Sequence, residues 1–144
     1  MMATILSVNI SKKKGEKKHN IGACRALIQK GLENDAHVGM AIRQISLLAS
    51  ESIEKIRQKG LNVHYGDFAE NLTTEGIELF TLTLGTKLKV GKDVLLEVTQ
   101  IGKICLAPCA IYHAVGDCVM PKEGIFVRVL SEGMISVGDE IIVI

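Results

Sequence analysis

From Thr4 onward the chain alternates apolar and polar positions: Leu6, Val8 and Ile10 fall on one face of a pleat, Ser7 and Asn9 on the other. A period of two predicts a strand with one buried face. The lysine-rich stretch that follows, Lys12 to Lys14 with Lys17 and Lys18, ends that strand and reads as a solvated loop. Residues 21–32 carry Ile21, Leu27, Ile28 and Leu32 without a clean period, so only a short strand near Ala26 to Ile28 is expected there. Gly31 to Gly39 reads as a loop in which the two glycines and Asn34 can supply left-handed backbone.

Arg43 to Leu48 alternates again, with Ile45 and Leu47 opposite Gln44 and Ser46, and a helix follows. Ser50 is placed to cap it, Glu51 meets the positive end of its dipole and reaches Lys55, and Ile53 and Ile56 line one face. Lys59 and Gly60 supply the stop. Beyond it the pattern is strands and turns: Thr81 to Leu84, Leu88 to Val90, a hairpin turn at Gly91-Lys-Asp93, Val94 to Val98, Ile125 to Leu130, a turn at Ser131 to Gly133, and Val137 to Ile144. Many short strands with one short helix predict a mainly β (α+β) chain, a closed or nearly closed β-barrel, with residues 1–144 forming a single domain. Closure also gives the apolar run Ile141 to Ile144 partners, which would otherwise be an edge open to aggregation.

Composition narrows the function classes. The formal charge is +1, from 17 basic and 16 acidic residues, so no global field draws the chain to nucleic acid or to a membrane surface. Three Phe, two Tyr and no Trp leave little on which to stack bases. The first apolar stretch precedes the lysines and is broken by Ser7 and Asn9, the wrong order and length for a signal peptide. No apolar run approaches the roughly 20 residues of a spanning helix. The expectation is a soluble cytoplasmic protein, in which cysteines are free, metal-bound or catalytic rather than disulfide-paired.

Chemistry concentrates in one segment. Of four cysteines, Cys105, Cys109 and Cys118 lie close together with His113, between turns marked by Pro108 and Pro121. Together they offer the atom types of a zinc site, although the tight pair spacing that curls a backbone around zinc is absent. Alternatively one thiolate is a nucleophile, a sulfur carrier or a ligand of a soft metal. Cys109 follows Pro108, whose fixed φ favours a rigid turn that presents the thiol, and Cys118 sits in the turn-rich Gly116-Asp-Cys-Val-Met-Pro121. Cys24, amid Ala and Leu, reads as a core filler. A second segment, Gly66 to Gly76, offers Glu70, Asn71 and Thr73, which either bind a polar ligand or hold their own turn. His37 and Arg43 are ligand contacts by type, and Arg128 stands on the face of Phe126 and Leu130, where its guanidinium needs an anion, internal or bound. No nucleophile elbow, phosphate-binding glycine loop or paired-histidine zinc motif occurs, which weighs against a hydrolase.

Gly31-Leu-Glu-Asn-Asp-Ala-His-Val-Gly39, Arg43 to Leu48, Gly66-Asp-Phe-Ala-Glu-Asn-Leu-Thr73, Leu88-Lys-Val-Gly91, Leu96 to Gln100, Pro108-Cys109 and Gly124 to Leu130 with Gly138-Asp139 resemble, in order, the MOSC domain, named for the C-terminal domain of molybdenum cofactor sulfurases. The resemblance implies a strand-rich barrel and a role with the molybdenum cofactor (molybdopterin). In that family a cysteine carries sulfur as a persulfide or ligates molybdenum, and basic and polar residues hold the pterin phosphate. Carried over by position, Cys109 is the first candidate for sulfur carrier and metal ligand and Cys118 the second. His37, Arg43, Glu70, Asn71 and Arg128 are the candidates for shaping or contacting the cofactor pocket. Two positions depart from the family pattern: Ala69 and Asn34 stand where Gly is common. Pyridoxal phosphate is expected only in a separate sulfur donor such as a cysteine desulfurase. The remaining partners implied are the cofactor itself or a molybdoenzyme, with neither nucleic acid nor membrane. The alternative reading is a non-catalytic binding or assembly module whose cysteines hold zinc or fill the core.

Overall fold

The computed structural model describes residues 3–13, 16–36, 43–102 and 120–144, with the side chains of Met120 and Pro121 not described. Eleven strands are found among these residues: β1 (Ala3–Ile10), β2 (His19–Asn20), β3 (Ala23–Leu27), β4 (Gly31–Leu32), β5 (Ile45–Ala49), β6 (Leu72–Glu75), β7 (Lys87–Val90), β8 (Val94–Ile101), β9 (Ile125–Ser131), β10 (Gly133–Ser136) and β11 (Glu140–Val143). Helix α1 spans Ser50–Arg57, a 3-10 turn Leu79–Thr81, and a single-turn helix α2 Met120–Glu123.

The sheet order β11-β7-β8-β9-β5-β6-β1 returns to β11 through the pairs Ala3↔Ile141 and Thr4↔Glu140, so the barrel is closed as the pattern predicts. β2 extends the far end of β1, and β10-β3-β4 form a separate three-stranded sheet. One neighbouring pair, β5 and β6, is parallel. A parallel pair needs a crossover connection, and helix α1 supplies it. Inside the barrel lie Ile5, Ile45, Leu47, Leu72, Leu88, Leu96, Val127 and their neighbours in one cluster. Outside it, α1 buries Ile53 and Ile56 with Leu48, Val63, Phe68 and Phe126 in a second cluster. β5 is therefore buried on both faces, while its neighbour β9 keeps Arg128 exposed.

The local differences from expectation have physical causes. Helix α1 has Ala49 at its N-cap with no side-chain cap, and Ser50 donates to Glu51 instead. Glu51 accepts from the Gly76 N–H, while Lys55 turns to Glu123. Thr81 to Leu84 is no strand: Thr81 Oγ1 bonds the Glu78 carbonyl and Thr83 bonds Thr86, side-chain partners that close turns. The expected strand at Ala26 to Ile28 begins earlier, at Ala23, because it pairs with β10, which the sequence pattern missed. β6 likewise falls where the sequence pattern predicts a loop: Thr73 and Thr74 are buried by their place in the barrel rather than by any apolar alternation. Lys12, Lys13 and Lys17 are exposed as expected, but Lys18 is buried at 2% exposure, and its ammonium lies 2.7 Å from Asp35 Oδ1 and 3.0 Å from Ser11 Oγ.

The turns at Gly91 and Val137 to Asp139 have similar sequences and pack together. The Gly91 N–H donates to the Glu140 carbonyl at 3.0 Å, and Asp139 Oδ2 accepts from the Ser136 N–H at 2.8 Å.

Candidate functional site

The outer face of β8 and β9 gathers two of the candidate residues. Arg128 pairs in register with Glu97 across the two strands, and its Nε lies 2.6 Å from Glu97 Oε1. The anion its position called for is thus internal, although the Arg128 side chain remains 49% exposed. Two residues back on the same face, the ring of Phe126 carries the Arg43 guanidinium at 5.4 Å from its centroid. Arg43 Nε donates to Gln100 Oε1 at 3.0 Å, and Gln100 Nε2 donates to the Gly102 carbonyl at 2.8 Å.

Gln100 can reach Arg43 because β8 is bulged. Its register against β9 shifts between Val98 and Gln100, and Thr99 Oγ1 donates to the Phe126 carbonyl at 3.1 Å. A bulge bends its strand and re-aims the next side chain. Just beyond, the Gly102 N–H donates to the Gly124 carbonyl at 2.6 Å, tying the two feet of the segment that contains the cysteines. Glu123 adds an anchor at the second foot: its carboxylate accepts from Ser52 Oγ at 2.6 Å and from Lys55 Nζ at 2.8 Å, both on α1. Arg43 is therefore bonded, through one glutamine, to the root of the thiol-rich segment.

Glu70 and Asn71 occupy a different place. Both are fully buried. The Glu70 carboxylate accepts from the N–H groups of Gly66 and Phe68 at 2.9 and 3.2 Å and from Thr73 Oγ1 at 2.7 Å. Burial pushes this carboxyl above its ordinary value, opposed by those hydrogen bonds. Asn71 joins three strands: its Oδ1 accepts from the Ser46 N–H at 2.9 Å, its Nδ2 donates to the Asn9 carbonyl at 3.1 Å, and its N–H donates to the Ser46 carbonyl at 3.0 Å. Of the two readings open for this segment, the geometry is that of side chains holding their own turn and strand ends. They shape the barrel end from which β5 leads back to Arg43.

The same barrel end holds what sequence reasoning missed. The Lys18–Asp35 pair ties the connection between β1 and β2 to the connection after β4, and Asp35 also accepts the Ser11 N–H at 3.1 Å. The run of lysines gave no sign of it, because the mate lies at Asp35, in a stretch read as loop. Glu97 and Gln100 were also missed; pairing β8 with β9 on paper would have set Glu97 against Arg128.

Cys105, Cys109, His113, Cys118 and His37 lie outside the described residues. Cys24, which is described, is 7% exposed, packs in the barrel cluster and donates to the Glu33 carbonyl at 3.3 Å, as a core filler should. Burial raises its thiol pKa. Among the described residues no group of three or more His, Cys, Asp or Glu side chains is placed to hold a metal ion. No helix among them is long and apolar enough to cross a membrane.

The described residues form a small closed β-barrel with the short helix α1 packed on its outside. A family model described as the MOSC domain matches residues 34–142, and the chain belongs to that family. Among solved structures, the YUAD protein from Bacillus subtilis is similar with a TM-score of 0.83 at 18% identity, over 98% of this chain and 94% of that one. YiiM from Geobacillus stearothermophilus gives a TM-score of 0.72 at 24% identity, over 99% of this chain and 75% of that one. YiiM from Escherichia coli gives 0.69 at 17% identity, over 100% and 70%. At these identities the likeness is one of fold. No curated protein matches the chain.

Proposed function

We propose that this protein binds the molybdenum cofactor, or carries sulfur destined for it, through a thiolate in the segment 105–118, with Cys109 the first candidate and Cys118 the second. The observation that carries the reading is Arg43. A guanidinium on the outer face of the barrel is held by Phe126 and Gln100 at the root of the thiol-rich segment, with Arg128 on the same face. The residue types fit the group. A thiolate suits a soft metal or a sulfane sulfur, and planar guanidiniums suit the oxygens of a phosphate.

Glu97 already engages Arg128, but that pair is half-exposed and so weakly held, and a guanidinium carries five N–H donors. Bound here, the cofactor would supply the redox or sulfur-accepting metal centre, while the chain contributes the thiolate, the two guanidiniums and a rigid rim. In the carrier role the thiolate attacks the outer sulfur of a donor persulfide, a sulfur–sulfur bond forms as the donor's breaks, and the donor leaves as a thiolate with no net oxidation. A cysteine desulfurase is the class of partner that supplies such a persulfide. The cytoplasm, where thiols stay reduced, is the compartment this requires.

The experiment incubates purified protein with molybdenum cofactor, removes the excess, and measures retained molybdenum by elemental analysis and sulfane sulfur by cyanolysis. Retention should fall on substituting the functional cysteine, Cys109→Ser or Cys118→Ser. It should also fall in Arg43→Gln with the fold intact. Undiminished retention in the double cysteine variant overturns the assignment.

A further inference from the structure

Along β8, Glu97 and Gln100 are an odd number of positions apart, which in a regular strand puts two side chains on opposite faces. The register shift between Val98 and Gln100 absorbs one position, so Glu97 stands opposite Arg128 and Gln100 opposite Phe126, next to each other on the outer face of β9. The bulge thus sets one acceptor beside each arginine. Arg128 donates through Nε to Glu97 Oε1, and Arg43, stacked on Phe126, donates through Nε to Gln100 Oε1. Among the described residues the terminal amino groups of neither guanidinium make a hydrogen bond. A guanidinium held at Nε alone keeps its end-on fork, the edge that matches two oxygens of a phosphate, for another partner.

The two acceptors differ in charge. The Glu97 carboxylate compensates Arg128. Gln100 is neutral, and among the described residues no carboxylate pairs with Arg43. The orientation of the Gln100 amide follows from its second bond. Nε2 donates to the Gly102 carbonyl, which only accepts, so Oε1 faces Arg43. A glutamate at this place would set a carboxylate against that carbonyl and cancel the Arg43 charge.

We infer that these two β8 side chains rank the two arginines. Gln100 is a positioning residue that presents Arg43, its charge uncompensated, as the main anchor for a phosphate monoester, while Glu97 makes Arg128 the weaker second contact. The inference rests on the proposed reading of this face as the one that meets the cofactor's phosphate, and adds to it the side chains that set the affinity.

The test titrates the full chain with inorganic phosphate at pH 7 and fixed ionic strength, following the arginine Nε–H signals by NMR. Phosphate should bind saturably, and Arg43→Gln should weaken it about tenfold against about threefold for Arg128→Gln. The two charge exchanges on β8 should act with opposite sign: Gln100→Glu weakens binding about tenfold, and Glu97→Gln tightens it about threefold. Gln100→Met, neutral but without an acceptor, should weaken binding about threefold and let the Arg43 Nε–H exchange faster with water. A role in the fold alone would make the Met and Glu variants act alike, with their urea midpoints falling together. Unchanged affinity in both Gln100 variants, while Arg43→Gln still weakens binding, overturns the ranking and leaves the cofactor reading standing. Absence of saturable phosphate shifts, or no loss in either arginine variant, overturns both.

Discussion

Lys18→Met tests the hidden ion pair most directly. Methionine keeps the length and apolar stem but removes the ammonium, so the buried Asp35 carboxylate loses the cation 2.7 Å away. Breaking a buried pair by removing one partner costs about 3–5 kcal/mol, because the remaining charge stays desolvated without its counter-ion. Total stability for a domain is about 5–15 kcal/mol, so this single change removes a large part of it. With a urea m-value of about 2 kcal/mol/M, the midpoint of unfolding should fall by about 2 M. Asp35→Asn should cost a similar amount. The double variant Lys18→Met, Asp35→Leu removes both charges of the pair, so its cost should lie well below the sum of the singles. Added salt should change none of these differences, since buried pairs are poorly screened. A single-variant loss below about 1 kcal/mol, in the range of exposed pairs, would refute the burial of this pair in solution.

Four further outcomes are expected. Gly66 has φ +94°, and a Cβ there would lie 2.2 Å from the Lys18 carbonyl oxygen, so Gly66→Ala should destabilise by about 3 kcal/mol or more in urea unfolding. Ala69 has φ +62°, so Ala69→Gly should instead stabilise by about 0.5 kcal/mol, the relief of left-handed strain exceeding the added chain entropy. Burial raises the Glu70 carboxyl in the folded state, so the fold holds this proton to higher pH than the unfolded chain does; the stability it contributes is present at low pH and lost as pH rises through the folded value. Urea melts from about pH 4 to 8 should therefore show a decline that is missing in Glu70→Gln. Glu97→Gln should change stability by less than about 1 kcal/mol, as a half-exposed pair allows, and a larger loss in the same melts would show that Arg128 is held for structural reasons.

What was legible followed from periodicity. β7 and β8 alternate because one face meets the barrel interior, and α1 shows Ile53 and Ile56 because one stripe meets Leu48 and Phe126. β1 corrects its expected face: a register shift between Ile5 and Ser7 leaves Ile5, Ser7, Val8 and Asn9 fully buried and Leu6 and Ile10 only partly so. β6 and β10 did not show themselves. Thr73, Thr74 and Gly133 have no hydrophobic period, and they are strands because long-range neighbours supply their ladders. The family pattern read at Ala69 and Asn34 does have a visible cause: both stand at positive φ, +62° and +66°, where Gly is at ease and Asn tolerable. Of the site, Arg43 is a candidate by residue type, and Arg128 by its place in the alternation of Ile125 to Leu130. Their shared face could be recognised only once β8 was set beside β9 and its bulge turned Gln100 toward Arg43.

Glu70 and Asn71 show why a residue can matter to a site it does not touch. Asn71 fixes Ser46 through hydrogen bonds to its N–H and carbonyl, and Ser46 stands three positions after Arg43 on the same run of chain. Glu70 in turn fixes the turn at Gly66 and Phe68 that delivers Asn71 to its place. Any loss of cofactor retention in Glu70 or Asn71 variants then has two sources, a direct contact or a displaced Arg43, and activity alone does not separate them. Arg43→Lys does. It keeps the charge but not the planar fork that spans Phe126 and Gln100. If Asn71→Ala acts through Arg43, it should add little to the loss already seen in Arg43→Lys, and full additivity of the two would instead assign Asn71 a contact of its own.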